Sequence, residues 1–283
     1  MRKLHKEKIL ILVKTYPNKS NKYVETVCTA GIRKDGSWIR LYPIPFRLYT
    51  DDQQYGKYQW IECSCYKTQN DIRPESYHID IDQKLGLCDK IGTQDRWEFR
   101  RREVLDKVRI VTKFSELAKL IKNNTGSLAV FHPASVKLKC DKARPVDDRN
   151  SNGTDSEDLV QLDLFHDKIW QPEFKRVEPI PYSFKYEITD AEGQTATHKI
   201  LDWELGTLFY NEKKRLGSEE SAKESVRHKY GVEFLDSRKI DLYLYMGTML
   251  QFQKRNMPNP WTIIGVAPFP RVEVRPCDLF GVS

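Results

Sequence analysis

Residues 26–42 read TVCTAGIRKDGSWIRLY, and this pattern predicts two β-strands joined by a tight hairpin. Asp35-Gly36 indicates the turn, because two-residue hairpin turns require positive φ angles that glycine adopts without strain. The segments on both sides are rich in the β-branched and aromatic residues that strands favour. Because proline cannot donate a backbone hydrogen bond to a sheet, we expect the second strand to stop at Pro43.

Further strands are predicted around this hairpin. Residues 8–14 form the apolar run KILILVK, and residues 58–67 and 77–81 also have the composition of strands. Five short strands with tight turns over roughly eighty residues are typical of a small barrel or a strongly bent sheet. Helical patterns follow from about Asp95, so we predict the α+β class. In this prediction an N-terminal β-rich small barrel or bent sheet, OB- or PUA-like, with helices precedes a second mixed α/β portion.

The basic residues are concentrated in the first half of the chain. The 283 residues carry a formal charge of +7, but residues 1–145 hold 29 Lys and Arg against 17 Asp and Glu, whereas residues 146–283 hold 18 against 23. A basic region of this kind favours an acidic partner, and nucleic acid, either DNA or RNA, is the leading candidate.

The acidic residues are densest between the two halves. Residues 147–167 contain seven Asp and Glu and one Arg, and Asn, Ser, Gly and Asp dominate their first part. This composition is typical of a linker or a long loop. We therefore predict a basic β-rich nucleic-acid-binding domain over residues 1–146, an acidic linker or long loop over 147–167, and a mixed α/β domain over 168–283, through which a protein partner could bind.

The composition also argues against several classes of protein. Aromatic residues make up 11% of the chain, which argues against disorder. The sequence has no run of eighteen apolar residues and no signal-peptide core, so we expect a cytoplasmic protein without a membrane span. The six cysteines form no C-x-x-C pair, and we expect them to be reduced and buried, with no metal or other cofactor. Phosphate-binding-loop, dinucleotide-binding, serine-hydrolase and zinc-protease motifs are absent from the sequence.

Cations and aromatic residues alternate along the N-terminal strands and loops. This combination is typical of single-strand binding, because cations neutralise phosphates and aromatic faces stack on bases for about 1–3 kcal/mol each. Residues 38, 40 and 42 share one strand face, which either binds ligand or packs on a neighbouring helix. Arg73 either clamps a ligand with Glu75 or closes its own loop by an ion pair. The predicted nucleic-acid-binding residues are Lys14, Tyr16, Lys19, Lys22, Tyr23, Arg33, Trp38, Arg40, Tyr42, Arg47 and Arg73.

Residues 27–32 (VCTAGI) and 36–40 (GSWIR) resemble the opening of a little-characterised prokaryotic domain family with two OB-like barrels. The strands of that family carry the patterns C-x-A-G-I and G-x-W-I-R, and the resemblance covers about forty of the 283 residues. It implies a nucleic-acid-binding protein of a prokaryotic defence context, such as antiviral defence or DNA modification, or of a mobile element. The sequence departs from the family where Leu41-Tyr42 separates Arg40 from the next proline, and where the second half has two helices without an obvious second barrel. A PUA-like sheet would fit the same strands.

The second half contains one compact titratable cluster, His198, Asp202 and Glu204, which we predict as the candidate catalytic residues. A histidine with two carboxylates at a strand-to-helix junction could hold a divalent cation or act in acid–base catalysis. Asp202 is also explained as the N-cap of a helix over residues 203–216, and Glu204 as an acid in its first turn. One alternative function is therefore a metal-dependent nuclease or nucleotide-modifying enzyme. Another is a sensor that binds a modified base or small nucleotide in an aromatic pocket.

Overall fold

Five strands of the N-terminal region close into a small barrel. The computed structural model describes residues 3–20, 24–68, 70–143, 178–255 and 257–272. The barrel strands pair in the order β1-β3-β4-β6-β5, and β5 pairs back with β1. All of these pairs are antiparallel except β4 with β6. The strands are β1 (His5–Lys14), β3 (Val24–Ile32), β4 (Trp38–Ile44), β5 (Gln59–Tyr66) and β6 (Ser76–Ile79), while β2 (Asn18–Ser20) pairs with β3 and β7 (Gly86–Lys90) pairs with β5.

Strand β4 continues past the proline that was expected to end it. It runs to Ile44, which pairs with Val27 across an irregularity in the β3–β4 register. On its other side β4 pairs with β6 only at Arg40 and Leu41. Pro43 therefore lies where one side of β4 has no neighbour in this sheet, so its missing N–H does not interrupt the strand.

Two further sheets and five α-helices are formed by described residues after the barrel. A four-stranded sheet has the order β14-β13-β9-β8, and a three-stranded sheet has the order β10-β11-β12. Their strands are β8 (Ile110–Val111), β9 (Leu128–Phe131), β10 (Ser135–Lys142), β11 (Tyr182–Thr189), β12 (Thr195–Lys199), β13 (Ile240–Thr248) and β14 (Trp261–Pro270). The α-helices are α1 (Gln94–Arg100), α2 (Phe114–Lys122), α3 (Trp203–Leu216), α4 (Glu219–His228) and α5 (Leu250–Lys254), with 3₁₀ turns at Phe46–Leu48 and Asp51–Gln53 and π-helical turns at Arg101–Leu105 and Lys229–Glu233.

The four-stranded sheet lies between two hydrophobic clusters. Leu128 and Val130 of β9 pack with Leu10 and Leu12 on the outside of the barrel, whereas their neighbours Ala129 and Phe131 pack with β11 and α3. The barrel interior is a third cluster, to which Ile9, Ile11, Ile39 and Leu41 belong. Because successive strand residues point to opposite faces, the continuous apolar run of β1 serves both the barrel interior and the surface against β9. The predicted mixed α and β class with a small N-terminal barrel is confirmed.

The strands that precede the predicted linker pair with strands that follow it. Strand β9 pairs with β13, and β10 pairs along its whole length with β11. Residues 110–142 therefore pack with residues 182–270, although the sequence analysis assigned them to the domain over 1–146. The predicted linker over residues 147–167 lies outside the described residues. Among the residues that the structure describes, no helix is long and apolar enough to cross a membrane.

Candidate functional site

Two of the arginines predicted to contact phosphate lie in the protein interior. Arg40 is 3% exposed and donates from Nη2 to the carbonyl and hydroxyl oxygens of Ser127, both at 3.0 Å, and from Nη1 to the carbonyl of Thr248 at 3.1 Å. Arg73 is 5% exposed, donates to the same Thr248 carbonyl at 2.9 Å and is paired with Asp71 at 2.5 Å. The two guanidinium groups thus join the barrel to β9 and β13. Their burial withdraws them from any phosphate, so the prediction for this pair is corrected.

The face shared by Trp38, Arg40 and Tyr42 is covered chiefly by a strand from the second half. The Trp38 ring packs edge-to-face against Tyr245 of β13, with centroids 6.4 Å apart. Trp38 and Tyr42 are both half-buried. Trp38 and Arg40 therefore pack inside the protein and do not form an open binding face. The element that they pack against is strand β13 and not a helix. Arg47 is half-buried in the 3₁₀ turn after β4.

Lys14 and Tyr16 are held at the contact between the barrel and helix α3. The Lys14 ammonium lies 3.8 Å from the centroid of Phe46 and 4.5 Å from that of Trp203, and burial lowers its pKa to about 8. The Tyr16 hydroxyl donates to the carbonyl of Glu178 at 3.1 Å. Lys14 and Tyr16, both predicted as nucleic-acid contacts, are therefore engaged in contacts within the protein.

Lys19, the next predicted contact along the chain, lies in a short strand. Lys19 belongs to β2 and pairs with Glu25 of β3. Lys22 and Tyr23 lie outside the described residues.

The predicted catalytic cluster does not assemble into one site. His198 is 3% exposed, its Nδ1 lies 3.0 Å from the carbonyl oxygen of Trp261, and burial lowers its pKa. Its Nε2 has no hydrogen-bond partner among the described residues, so neither ring nitrogen is hydrogen-bonded to Asp202 or Glu204. Within the described part of the chain, no group of three or more His, Cys, Asp or Glu side chains is arranged to hold a metal ion. The assignment of these residues to catalysis therefore has no geometric support.

Asp202 and Glu204 instead form an ionic cluster with Lys57. Asp202 caps α3 by accepting from the Glu204 amide at 3.1 Å, and its other oxygen accepts from the Val266 amide at 2.8 Å. The Lys57 ammonium lies 3.2 Å from the Glu204 carboxylate and 3.8 Å from that of Asp202. Burial opposes the charge on Lys57, but the two carboxylates outweigh it and hold the pKa of Lys57 above its ordinary value. Burial in turn raises the pKa of Asp202, and Lys57 counteracts that shift.

A cavity of about 390 Å³ lies where the barrel meets helix α2 and strand β9. Its barrel side includes two residues predicted as nucleic-acid contacts, Arg33 and Trp38, together with Glu75 and Tyr77. The opposite side includes Lys107, Val108, Arg109, Val111, Glu116, Leu120, Thr125, Gly126, Leu128 and Ala129. The structure therefore brings aromatic rings and cations from distant parts of the chain to one concave site.

The cations of the cavity are fixed by carboxylates and by the hairpin. Arg33 donates to both carboxylate oxygens of Glu7, at 2.7 and 3.0 Å, and to the Trp38 carbonyl at 3.1 Å. Arg109 is paired with Glu116 at 2.5 Å, yet its side chain is 73% exposed. The hairpin turn lies directly against Lys107. A Cβ at Gly36, whose φ is 84°, would lie only 2.3 Å from the carbonyl oxygen of Lys107, so this position requires glycine.

Glu75 provides a buried carboxylate in the cavity lining. It is 8% exposed, and its Oε1 accepts a hydrogen bond from the Ser127 amide at 2.6 Å and another from the Ser127 hydroxyl. Its Oε2 has no hydrogen-bond partner among the described residues. The Glu75 carboxylate therefore fixes the segment before β6 to Ser127, and its second oxygen is shielded from solvent.

Sequence reasoning missed Tyr77, Lys107 and Arg109 as members of one site. They come from β6 and from the segment just before β8, and their proximity depends on how the barrel docks on the second half. The basic run at residues 100–102 does not line the cavity. There the Arg100 guanidinium packs on Tyr58 at 4.1 Å and on Trp97 at 4.5 Å from the ring centroids.

Two family models divide the chain at this same docking region. The model of Domain of unknown function (DUF8757) matches residues 111–281, which is more than half of the chain. The chain belongs to the DUF8757 family. Residues 5–107 match a second model, Domain of unknown function (DUF8758). No curated protein matches the chain. The cavity thus has lining residues from both matched regions. Lys107 belongs to the DUF8758 region and Val111 to the DUF8757 region.

Proposed function

We propose that this DUF8757 member binds nucleic acid and that its cavity receives an unpaired base. The observation that carries the proposal is the lining of the cavity, where Trp38 and Tyr77 stand beside Arg33, Lys107 and Arg109. Aromatic faces stack on any base and cations neutralise the adjoining phosphates, which is the combination used for single-stranded nucleic acids. Sites between structural units are also common positions for ligand cavities.

The barrel supports the same proposal. We assign the barrel to the OB-like class because it is closed by five strands. Barrels of that class bind oligonucleotides. The hairpin between β3 and β4, which carries the sequence resemblance to an OB-like family, supplies Arg33, Gly36, Ser37 and Trp38 to the cavity. The prokaryotic defence context rests on that resemblance alone and stays a prediction.

The test is a binding titration of fluorescein-labelled single-stranded DNA and RNA at two salt concentrations. Tyr77→Leu should weaken binding about 5- to 150-fold if the ring stacks on a base. Arg109→Ala should weaken binding and lower the salt dependence by about 0.7 in the log–log slope, as expected for one lost phosphate contact on a single strand. The matched control is Arg238→Ala, because Arg238 is also exposed and paired with a nearby carboxylate, that of Asp236.

Two results would count against the proposal. One is the absence of binding to every single-stranded oligomer at low salt. The other is an equal effect of Arg109→Ala and Arg238→Ala, since that would reduce the cavity cation to a general surface charge.

A small-nucleotide sensor is the second candidate function. The cavity volume of about 390 Å³ favours it, because this is near the lower end of the range of small-molecule sites. A mononucleotide such as GMP that binds more tightly than any oligomer, with the same loss in Tyr77→Leu, would select the sensor. Tighter binding of oligomers would select the nucleic-acid-binding function.

A further inference from the structure

A row of three lysines crosses the three-stranded sheet. Lys139 of β10 is the register partner of Lys185 of β11, and Lys185 is in turn the partner of Lys199 of β12. Directly opposed residues of antiparallel strands have their side chains on the same face, with Cβ atoms about 5 Å apart. Three ammonium groups therefore leave the sheet side by side.

The lysine row is on the face of this sheet that points away from the core. The opposite face carries Phe184, Tyr186 and Ile188, which are at most 2% exposed and belong to the cluster packed with α3 and α4. Because successive strand residues point to opposite faces, Lys185 points outward, and its cross-strand partners Lys139 and Lys199 do the same. Lys139 and Lys199 are exposed and Lys185 is half-buried.

Like charges placed directly opposite each other destabilise a sheet, so this row has a cost in the free protein. Two acids reduce the cost, because Glu187 is paired with Lys139, and Asp141 is paired with Lys185 at 2.9 Å. Within the described part of the chain no carboxylate is paired with Lys199. Burial of its stem and the neighbouring charge of Lys185 lower the pKa of Lys199. An anionic ligand would remove this repulsion.

We propose that the outer face of the β10–β11–β12 sheet contacts the phosphate backbone of double-stranded nucleic acid. Three strands span about 10 Å across the row, and one strand of a duplex presents a phosphate about every 3.4 Å along the axis. Three ammonium groups along this length can thus neutralise up to three backbone phosphates. The inference deepens the proposed function and rests on it, since it adds a contact for the polymer that the base-binding cavity does not provide.

The composition of this face selects a duplex over a single strand. Apart from the three lysines of the row and the two acids, its outward residues on the three strands are a fourth lysine, Lys137, and Ser135, Ser183, Thr189, Thr195 and Thr197. None of these side chains is aromatic, so the face has no ring on which an unpaired base could stack. Lysines, serines and threonines are, however, suited to phosphate oxygens, which carry no sequence information.

The test compares two triple variants of the full chain. Lys139→Gln, Lys185→Gln and Lys199→Gln remove the row, whereas Lys122→Gln, Lys214→Gln and Lys239→Gln remove three exposed charges elsewhere. Binding of a labelled 20-base-pair DNA or RNA duplex is measured between 50 and 200 mM salt. Removing three phosphate contacts should lower the log–log salt slope by about 2.7, so the affinity ratio between these two salt concentrations should shrink by about 40-fold. Circular dichroism checks that both variants are folded.

The row variant should keep its affinity for GMP and for a single-stranded oligomer, since the cavity is intact. No duplex binding by the wild type, or an equal slope change in the two triple variants, would overturn the inference. Normal duplex binding by the row variant, together with weakened single-strand binding in Arg109→Ala, would overturn the sheet-face contact alone. The reverse pattern, a reduced duplex slope with no effect of Arg109→Ala or Tyr77→Leu on single strands, would overturn the cavity proposal alone.

Discussion

Replacing Arg40 by alanine should destabilise the protein strongly without removing a phosphate contact. The guanidinium makes three hydrogen bonds of 3.0–3.1 Å to Ser127 and Thr248. Removing it takes one donor from each of two buried carbonyl oxygens, which keep only the donors from Arg73 and from the Thr248 amide, and takes one positive charge away from the buried carboxylate of Glu75. Each hydrogen bond to a charged group contributes about 1.5–3 kcal/mol, and removal of one member of a buried ionic group costs about 3–5 kcal/mol. We expect a loss of about 3–5 kcal/mol in the free energy of unfolding.

Urea unfolding followed by tryptophan fluorescence measures this loss. Arg238→Ala is the control, because an exposed arginine with a nearby surface partner should change stability by less than about 0.5 kcal/mol. The surface interpretation of Arg40 makes the opposite prediction, namely unchanged stability and a smaller salt dependence of nucleic-acid binding. If Arg40→Ala unfolds at the same urea concentration as the wild type, the interior position of this side chain is refuted.

Three further predictions concern the contact between the barrel and α3. Gly206→Ala should lower the free energy of unfolding by about 1–3 kcal/mol, because the new Cβ would lie 2.1 Å from ring carbons of Tyr16. This loss is expected although alanine favours helices more than glycine does. A urea titration that shows unchanged stability would contradict this packing. Lys14 has its pKa lowered by burial to about 8 from an ordinary 10.5, so the unfolded chain binds this proton more tightly. Its contribution to stability should therefore rise from about pH 8 to pH 10.5, by up to about 3 kcal/mol, and a wild-type minus Lys14→Met difference that is flat across this range would exclude the shift. Asp202→Asn keeps an N-cap side chain but removes the charge facing Lys57, so we expect the free energy of unfolding to fall by about 3–5 kcal/mol. A fall below about 0.5 kcal/mol in the urea titration would show that Lys57 does not need this carboxylate.

Local signals in the sequence predicted the elements that depend on local physics. Helix α3 begins after Asp202 and ends before Gly217, as its cap residues indicate, because N-cap hydrogen bonds and a left-handed C-terminal glycine act within a few residues. Residues 240–246 alternate apolar side chains with polar or aromatic ones, a local pattern typical of a strand, and they form most of β13, which pairs with β14. The closure of the barrel through β1 and β5 joins segments about fifty residues apart, and no local pattern encodes such a pairing.

The prediction of the site was weaker for a related reason. Period-two alternation correctly placed Arg40 on the face opposite Ile39 and Leu41, but it could not show what covers that face. The covering groups are the Thr248 carbonyl and Ser127, which are 208 and 87 residues away. A basic side chain in an N-terminal strand therefore has the same local pattern whether it contacts phosphate or joins two parts of the fold.

The buried arginines also explain why the cavity has fixed walls. Arg40 and Arg73 join β4 and the segment before β6 to the end of β13, and the Glu75 carboxylate joins the same segment to Ser127 just before β9. Trp38 and Tyr77 come from these barrel strands, and Leu128 and Ala129 belong to β9, so the ionic contacts set the separation between the two sides of the cavity. Because a preformed site avoids the cost of ordering its walls on binding, the charges that sequence reasoning assigned to phosphate contribute to ligand binding by holding the aromatic and cationic groups in place.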